Sequence, residues 1–334
     1  MKNKYLLLIA GALLTIALVS CGDKEVKQAV TEPSDQQVSQ SAVPSANPSD
    51  QPLEVKDDGK WEHKAVKDNM AIKAIVTDGN VYVGYSQEFI AYSYNGLDWE
   101  VALKGEELFL NTIMYGNGTF FASAGHETYY QSNDGINWTS YDVSSISYNQ
   151  TYTGVYAEGK FVSIDEGGHV VTSADGIHWE KYHSKDNPDD DIYLEDVAGY
   201  DAVITDIIYE NGRYIAGVYD SCIFVSNGLD HWDMAVFEDN PYEIVWDIKT
   251  IGNKAVCAGL AQLTVIDLDT LKPVKSNAEE GYYLSLEKYE GKLIAFKAIG
   301  EVLVSADGIT WNVLFEKPAD YMDFYSATII GDMI

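Results

Sequence analysis

Six carboxylates crowd into eleven residues: Asp186, Asp189, Asp190, Asp191, Glu195 and Asp196. Hard oxygen donors at that density suit Ca²⁺, with Asp189, Asp191 and Glu195 as the ligand set. Their spacing is not that of an EF-hand loop, however, and a solvated acidic loop accounts for them as well. No other cofactor is implied. His126 and His169 fall in matching segments, "AGHET" and "GGHVV", which would place both on one face for a metal. Neither has an i, i+4 histidine or a cysteine beside it, so the expectation is solvated loop histidines. A glycosidase needs two carboxylates at a set separation. With 52 acidic residues in 334, some pair is close by chance, so no pair can be singled out. Ser/His/Asp and Cys/His arrangements have no supporting motif, and no catalytic residue is assigned.

Against those 52 acids stand 22 basic residues, a net charge of −30. Like-charge repulsion makes nucleic acid and anionic headgroups poor partners, and leaves cations, basic proteins and neutral glycans. Lys2 and Lys4 precede an apolar run from Tyr5 to Val19, too short for a bilayer-spanning helix of roughly 20 residues, and Ser20 and Cys21 follow. The stretch Leu18–Cys21 resembles the bacterial lipobox, which implies lipidation of Cys21 and an extracytoplasmic protein anchored to the cell membrane. An ordinary signal peptide is the alternative. Three segments result: residues 1–20 as signal peptide, 21–53 as lipidated cysteine and disordered tether, and 54–334 as the folded domain. The tether is rich in Gln, Ser, Pro, Ala and Asp without apolar period, too poor in buriable surface to offset its ordering entropy. Cys222 and Cys257 are the other two cysteines. Export permits a disulfide between them, and two buried thiols fit equally well.

The domain is built on a repeat. S-x-D-G-x-x-W occurs as Ser132, Asp134, Gly135, Trp138; as Ser173, Asp175, Gly176, Trp179; and as Ser305, Asp307, Gly308, Trp311. Ser93, Asn95, Gly96 and Trp99 form a variant, and in Ser226, Gly228, Trp232 the glycine comes one place early. Successive tryptophans lie 39, 41, 53 and 79 residues apart, so the period is near forty, with an insertion at 185–201 and one decayed box at 265–271, "VIDLDTL". Each period reads as four short stretches rich in Tyr, Phe, Ile and Val, broken by Gly, Asn and Asp. Four-stranded units at this period predict an all-β fold, a β-propeller of antiparallel blades. Within the box, Asp or Asn accepts backbone N–H groups two residues on, Gly supplies positive φ, and Trp opens the outer strand as a staple. The termini decide the blade count. Residues 57–66 and 324–334 resemble complementary parts of one blade, giving seven, and six remain if they do not combine.

These heptapeptides resemble the Asp-box, or BNR, repeats of sialidase-superfamily propellers, over residues from about 55 to the end. The resemblance implies that the boxes are structural and lie on the rim opposite the ligand face. Sialidases of that superfamily use three arginines on the sugar carboxylate, a bidentate role that lysine fills poorly. Arg213 is the only arginine here, which argues against sialidase activity.

The ligand face is then made by second-to-third-strand loops and blade-to-blade crossings, rich in tyrosines and acids. Counting back six residues from each first-turn glycine, or its equivalent, gives Lys73, Thr112, Thr153, Asp206, Asp247, Ser285 and Tyr325, all polar. Such a ring suggests the channel mouth, with Asp206 and Asp247 adjacent; a merely water-filled channel would look the same. Asp206, Asp247, Tyr152, Tyr242 and Tyr325 are the expected ligand contacts. The leading expectation is a non-catalytic, lipid-anchored propeller binding a protein, glycan or cationic ligand of the envelope. A glycan-processing hydrolase and an assembly or quality-control factor are the alternatives.

Overall fold

The computed structural model describes residues 5–7, 61–63, 70 and 72–316, except 106–107, 125–127, 143–150, 166, 188, 199–202 and 238–242. Six four-stranded antiparallel sheets follow one another along the chain, each with its strands in sequence order from first to fourth. Blade 1 comprises Ala74–Thr77, Tyr82–Tyr85, Phe89–Ser93 and Glu100–Lys104; blade 2, Leu110–Gly116, Thr119–Ala124, Thr128–Ser132 and Thr139–Asp142. Blade 3 is Thr151–Ala157, Lys160–Asp165, Val170–Ser173 and Trp179–Lys181; blade 4, Ile204–Glu210, Arg213–Val218, Cys222–Ser226 and Asp233–Val236. Blade 5 holds Val245–Ile251, Lys254–Gly259, Leu263–Asp267 and Lys272–Val274; blade 6, Tyr283–Tyr289, Lys292–Lys297, Glu301–Ser305 and Trp311–Glu316. The one helix among the described residues is the four-residue Glu195–Ala198, inside the acidic insertion. No described helix is long and apolar enough to cross a membrane.

The chain is a β-propeller, and the described residues form six blades. Of the segments expected to close a seventh, Trp61–His63 is a strand that pairs in parallel with Tyr5–Leu7. Residues 57–60, 64–66 and 324–334 lie outside the described residues. The decayed box falls where the period requires it, between the third and fourth strands of blade 5.

Why the sheets pack this way follows from which strands are apolar on both sides. Second strands such as Thr119–Ala124 are buried at every position but the first, because each is covered on both faces. Fourth strands such as Thr139–Asp142 are largely exposed. The cores accordingly sit between blades. Val83 and Ile90 of blade 1 meet Ile113 and Phe120 of blade 2, and Ile164 of blade 3 meets Tyr214, Phe224 and Trp232 of blade 4. Val256 and Leu263 of blade 5 pack with Leu286 and Leu303 of blade 6. Among the described residues every such cluster spans two blades except the one around Ile72, Ala91 and Trp99 of blade 1, so most blades depend on their neighbours. Gly116 shows how tight the contact is: a Cβ there would lie 2.1 Å from the Tyr156 ring of the next blade.

The heptapeptides close the third-to-fourth hairpins with one hydrogen-bond pattern. In the box at 132–138, Ser132 Oγ accepts from Gly135 N at 2.9 Å, and Asp134 Oδ1 accepts from Ile136 N at 2.9 Å and Asn137 N at 2.8 Å. Trp138 Nε1 donates to Gly135 O at 3.1 Å. Gly135 has φ of 73°, in the left-handed region that favours glycine. Trp99, Trp179 and Trp311 donate likewise to Gly96, Gly176 and Gly308. The 226–232 box departs from the expected role of its glycine. Leu229, not Gly228, takes the positive φ, at 74°, and its carbonyl receives Trp232 Nε1 at 3.0 Å. The shift keeps the indole bond in register while burying the leucine side chain, which is 1% exposed.

Candidate binding site at the channel mouth

The boxes and the first-to-second turns share one rim; the second-to-third loops and the crossings make the other. At that second rim every first strand of blades 2 to 6 breaks register with its partner, between Leu110 and Thr112, Thr151 and Gly154, Ile204 and Asp206, Val245 and Asp247, and Tyr283 and Ser285. A bulge inserts one unpaired residue and re-aims the chain. The ring residues of the sequence lie at or beside these breaks, with Lys73 just before the first strand of blade 1.

Asp206 and Asp247 do come together, as clasps between blades. Asp206 Oδ2 accepts from Ile248 N of blade 5 at 3.0 Å, and Asp247 Oδ2 from Leu286 N of blade 6 at 2.7 Å. Each carboxylate thus satisfies an inner-edge N–H that the ladder leaves over. Burial, and then the charge of Asp247, push the Asp206 carboxyl up to about 7. Lys249 Nζ lies 2.6 Å from Asp247 Oδ1. Burial opposes its charge, but Asp247, Asp206 and Glu287 together hold its pKa above the ordinary lysine value. At the opposite end of the same strands, beside the first-to-second turn, Glu210 Oε2 makes a similar blade-to-blade clasp, accepting from Thr250 N at 2.8 Å and Lys288 Nζ at 2.6 Å.

Above the clasps opens a cavity of about 660 Å³ drawing on blades 1 to 5, a size suited to a small ligand or a few side chains. Its polar wall is Lys73, Tyr85, Asn111, Asp165, Thr205 and Trp246, with Leu110, Ile164, Val203 and Ile204 between them. The Tyr85 hydroxyl donates to Asn111 O, and burial pushes its pKa up to about 12, so it stays a donor. Thr205 Oγ1 donates to Val245 O. Asp165 Oδ1 accepts from His169 N at 2.9 Å and lies 3.3 Å from its Nδ1. Two wall donors, Asn111 Nδ2 and Trp246 Nε1, are buried without any partner. Trp246 also centres an aromatic row across three blades, with Tyr219 edge-on at 6.1 Å and Tyr282 tilted at 6.2 Å between centroids.

The exposed apolar side chains share this polarity. Of the eleven exposed large hydrophobics among the described residues, eight belong to this rim: Phe109, Val197, Val203, Tyr219, Val236, Leu260, Tyr282 and Ile299. Tyr94 alone stands on the box rim.

The other expected residues are placed as follows. Asp189 is exposed. Asp191 is engaged by Lys181 Nζ at 2.8 Å and His183 Nδ1 at 2.9 Å, and Glu195 opens the short helix. Among the described residues no group of three or more His, Cys, Asp or Glu is arranged to hold a metal. His169 stacks on Tyr193 at 4.6 Å, tying the insertion to blade 3. Tyr152 lies in the first strand of blade 3, its side chain outside the described residues, as are Tyr242, Tyr325 and His126. Cys222 and Cys257 are buried free thiols. Sequence reasoning missed Asn111, Thr205 and Trp246. Trp246 carried a signal: it is the one tryptophan of seven that no box explains, and it immediately precedes a ring residue.

No protein-family profile and no curated protein matches the sequence. Solved structures do match. YCF48 from Cyanidioschyzon merolae superposes with a TM-score of 0.54 at 13% identity, over 72% of this chain and 84% of that one. YCF48 bound to D1 peptide gives 0.53 at 12%, over 71% and 79%. The extracellular domain of BT4673 from B. thetaiotaomicron gives 0.56 at 10%, over 77% of this chain and 35% of that one. At these identities the likeness speaks to the fold alone, and the fold is the propeller.

Proposed function

We propose that this protein is a non-catalytic, lipid-anchored β-propeller of the bacterial cell surface that holds an extended segment of a partner protein at its channel mouth. The observation that carries the reading is the concentration of exposed apolar side chains, a cavity and partnerless donors on one rim, while the heptapeptides of the other satisfy their own polar groups. Contiguous exposed apolar surface marks interaction sites, and the exposed Tyr219 and Tyr282 form such a run with Trp246 on this rim. A propeller of the same fold, YCF48, has been solved with D1 peptide bound, a precedent for this mode. The Asp-box resemblance supports the same orientation, since its boxes lie away from the ligand. Lipidation of Cys21 would tether the domain about 30 Å from the membrane on average, within reach of envelope proteins. The test uses three variants of the full chain. Cys21→Ala is expected to abolish incorporation of a clickable fatty acid in cells. Tyr219→Ala with Tyr282→Ala is expected to lose partners recovered by envelope crosslinking, whereas Tyr94→Ala keeps them. Equal recovery from both rim variants would refute the mouth as the site.

A second reading, a carboxylate-pair hydrolase, draws on Asp206 and Asp247, one carboxyl raised beside another, the pattern that separates acid from base in such enzymes. Both are engaged by neighbouring backbone, which supports the clasp role instead. Turnover of chromogenic glycosides, lost in Asp206→Asn, would favour the enzyme.

A further inference from the structure

The mouth cavity has donors to spare, while three acceptor atoms at it are already engaged. Asn111 Nδ2 and Trp246 Nε1 are buried without partners. Lys73, on the same wall, has no ion-pair partner among the described residues, and partial burial lowers its pKa. On the acceptor side, Asp165 serves His169, Asn111 O receives the Tyr85 hydroxyl, and Val245 O receives the Thr205 hydroxyl. A buried N–H left unpaired is costly, and native proteins keep few of them. Two such donors lining one cavity, from blades 2 and 5, with Lys73 of blade 1 on the same lining, form a set that the oxygens of a ligand would complete. Aliphatic lining between them adds room for an apolar side chain.

This local chemistry runs against the whole-molecule charge of −30. Long-range attraction for cations is screened within about 8–10 Å at physiological salt. Inside the cavity, contact hydrogen bonds decide. We propose that the cavity is an acceptor-reading subsite: it seats an apolar residue of the partner segment together with carbonyl or carboxylate oxygens, which Asn111 and Trp246 each take from their own side, and it disfavours Lys or Arg there. The proposal rests on the segment-binding reading above and adds its specificity.

Random heptapeptides displayed on phage, selected on the detergent-solubilised full chain, test it. The expected winners pair an aliphatic or aromatic residue with Asn, Gln, Asp or Glu. A synthetic winner is expected to bind about tenfold more weakly to Asn111→Leu and to Trp246→Phe, in proportion to one lost hydrogen bond. Unliganded Asn111→Leu is expected to melt about 2 °C higher or more, because an isosteric apolar group replaces an unsatisfied one. Winners rich in Lys or Arg, an affinity unmoved by Asn111→Leu, or a lower melting temperature for that variant would overturn the subsite. No enrichment over a protein-free control, or enrichment only on a glycan array, would instead sink the segment-binding reading itself, so the two failures are told apart.

Discussion

The two rims of this propeller satisfy their polar groups by different rules. On the box rim, Ser132, Asp134 and Trp138 all find partners within one heptapeptide. At the mouth, partners come from the next blade, as Asp206 reaches Ile248, or are missing, as for Trp246 Nε1. Blade-to-blade bonds occur on the box rim too, as from Gln131 Nε2 to Asp175 O and from Arg213 to Asp269, but each box is satisfied within itself and so folds the same way at each repeat. Non-local satisfaction leaves groups whose pairing depends on what else is present. The comparison separates an end whose hairpins are self-contained from one that leaves buried donors unpaired.

The largest expected effect breaks the structural end. Trp99 is 1% exposed and its indole N–H is bonded to Gly96 O, so Trp99→Ala should cost about 3–5 kcal/mol and lower the melting temperature by about 10 °C. A loss under about 1 kcal/mol in chemical denaturation would mean that the indole is no staple. Next comes Asp134→Ala, which removes the acceptor for two backbone N–H groups. About 1–2 kcal/mol is expected, with peptide affinity at the mouth unchanged; a parallel loss of binding would merge the two ends.

The rims should also answer pH with opposite sign. The folded state raises the Asp206 pKa to about 7, chiefly by burial, above the unfolded value of about 3.9. That group therefore adds stability as pH falls from about 7 towards 4 and subtracts it as pH rises. Asp134 and Asp175 are shifted down by hydrogen bonds from Asn137 and His178, which for Asp175 outweigh the upward pull of burial. Their contribution is complete above about pH 4 and is lost as pH falls further. Asp206→Asn, which keeps an oxygen for Ile248 N, should then gain on the order of 1 kcal/mol over wild type between pH 5 and pH 8; parallel melting curves across that range would rule the effect out. The smallest expected effect concerns the acidic insertion. With Asp191 already held by Lys181 and His183, millimolar Ca²⁺ against EDTA should move the melting temperature by less than about 1 °C, within ordinary surface effects. A rise of several degrees would make the loop a calcium site.

The fold was legible because its signals are local and repeated. Ser, Asp, Gly and Trp at fixed offsets write each hairpin into seven residues, and Asp267 preserves the turn where the tryptophan has gone, accepting from Thr270 N at 2.9 Å. The ring position of Asp206 and Asp247 was legible for the same reason. Their role as clasps was not, since it depends on a register break that no residue type announces. Nor was the cavity, whose wall unites Lys73 with Trp246 across five blades. Leu229 in the left-handed region shows the limit from the other side: tertiary burial overrode the local preference for glycine.

The insertion holds a wider consequence. Val170 N donates to Ile192 O, and Ile192 N to Tyr182 O, so this crossing carries a small ladder of its own and leaves the hairpin of blade 3 intact. The same crossing also feeds the core, since Leu194 is fully buried between blades 3 and 4 with Ile192 and Ala198 against it. Sequence exchanged at its exposed acidic tip, around Asp186, Asp189 and Asp190, should leave melting unchanged, whereas losing Leu194 should not.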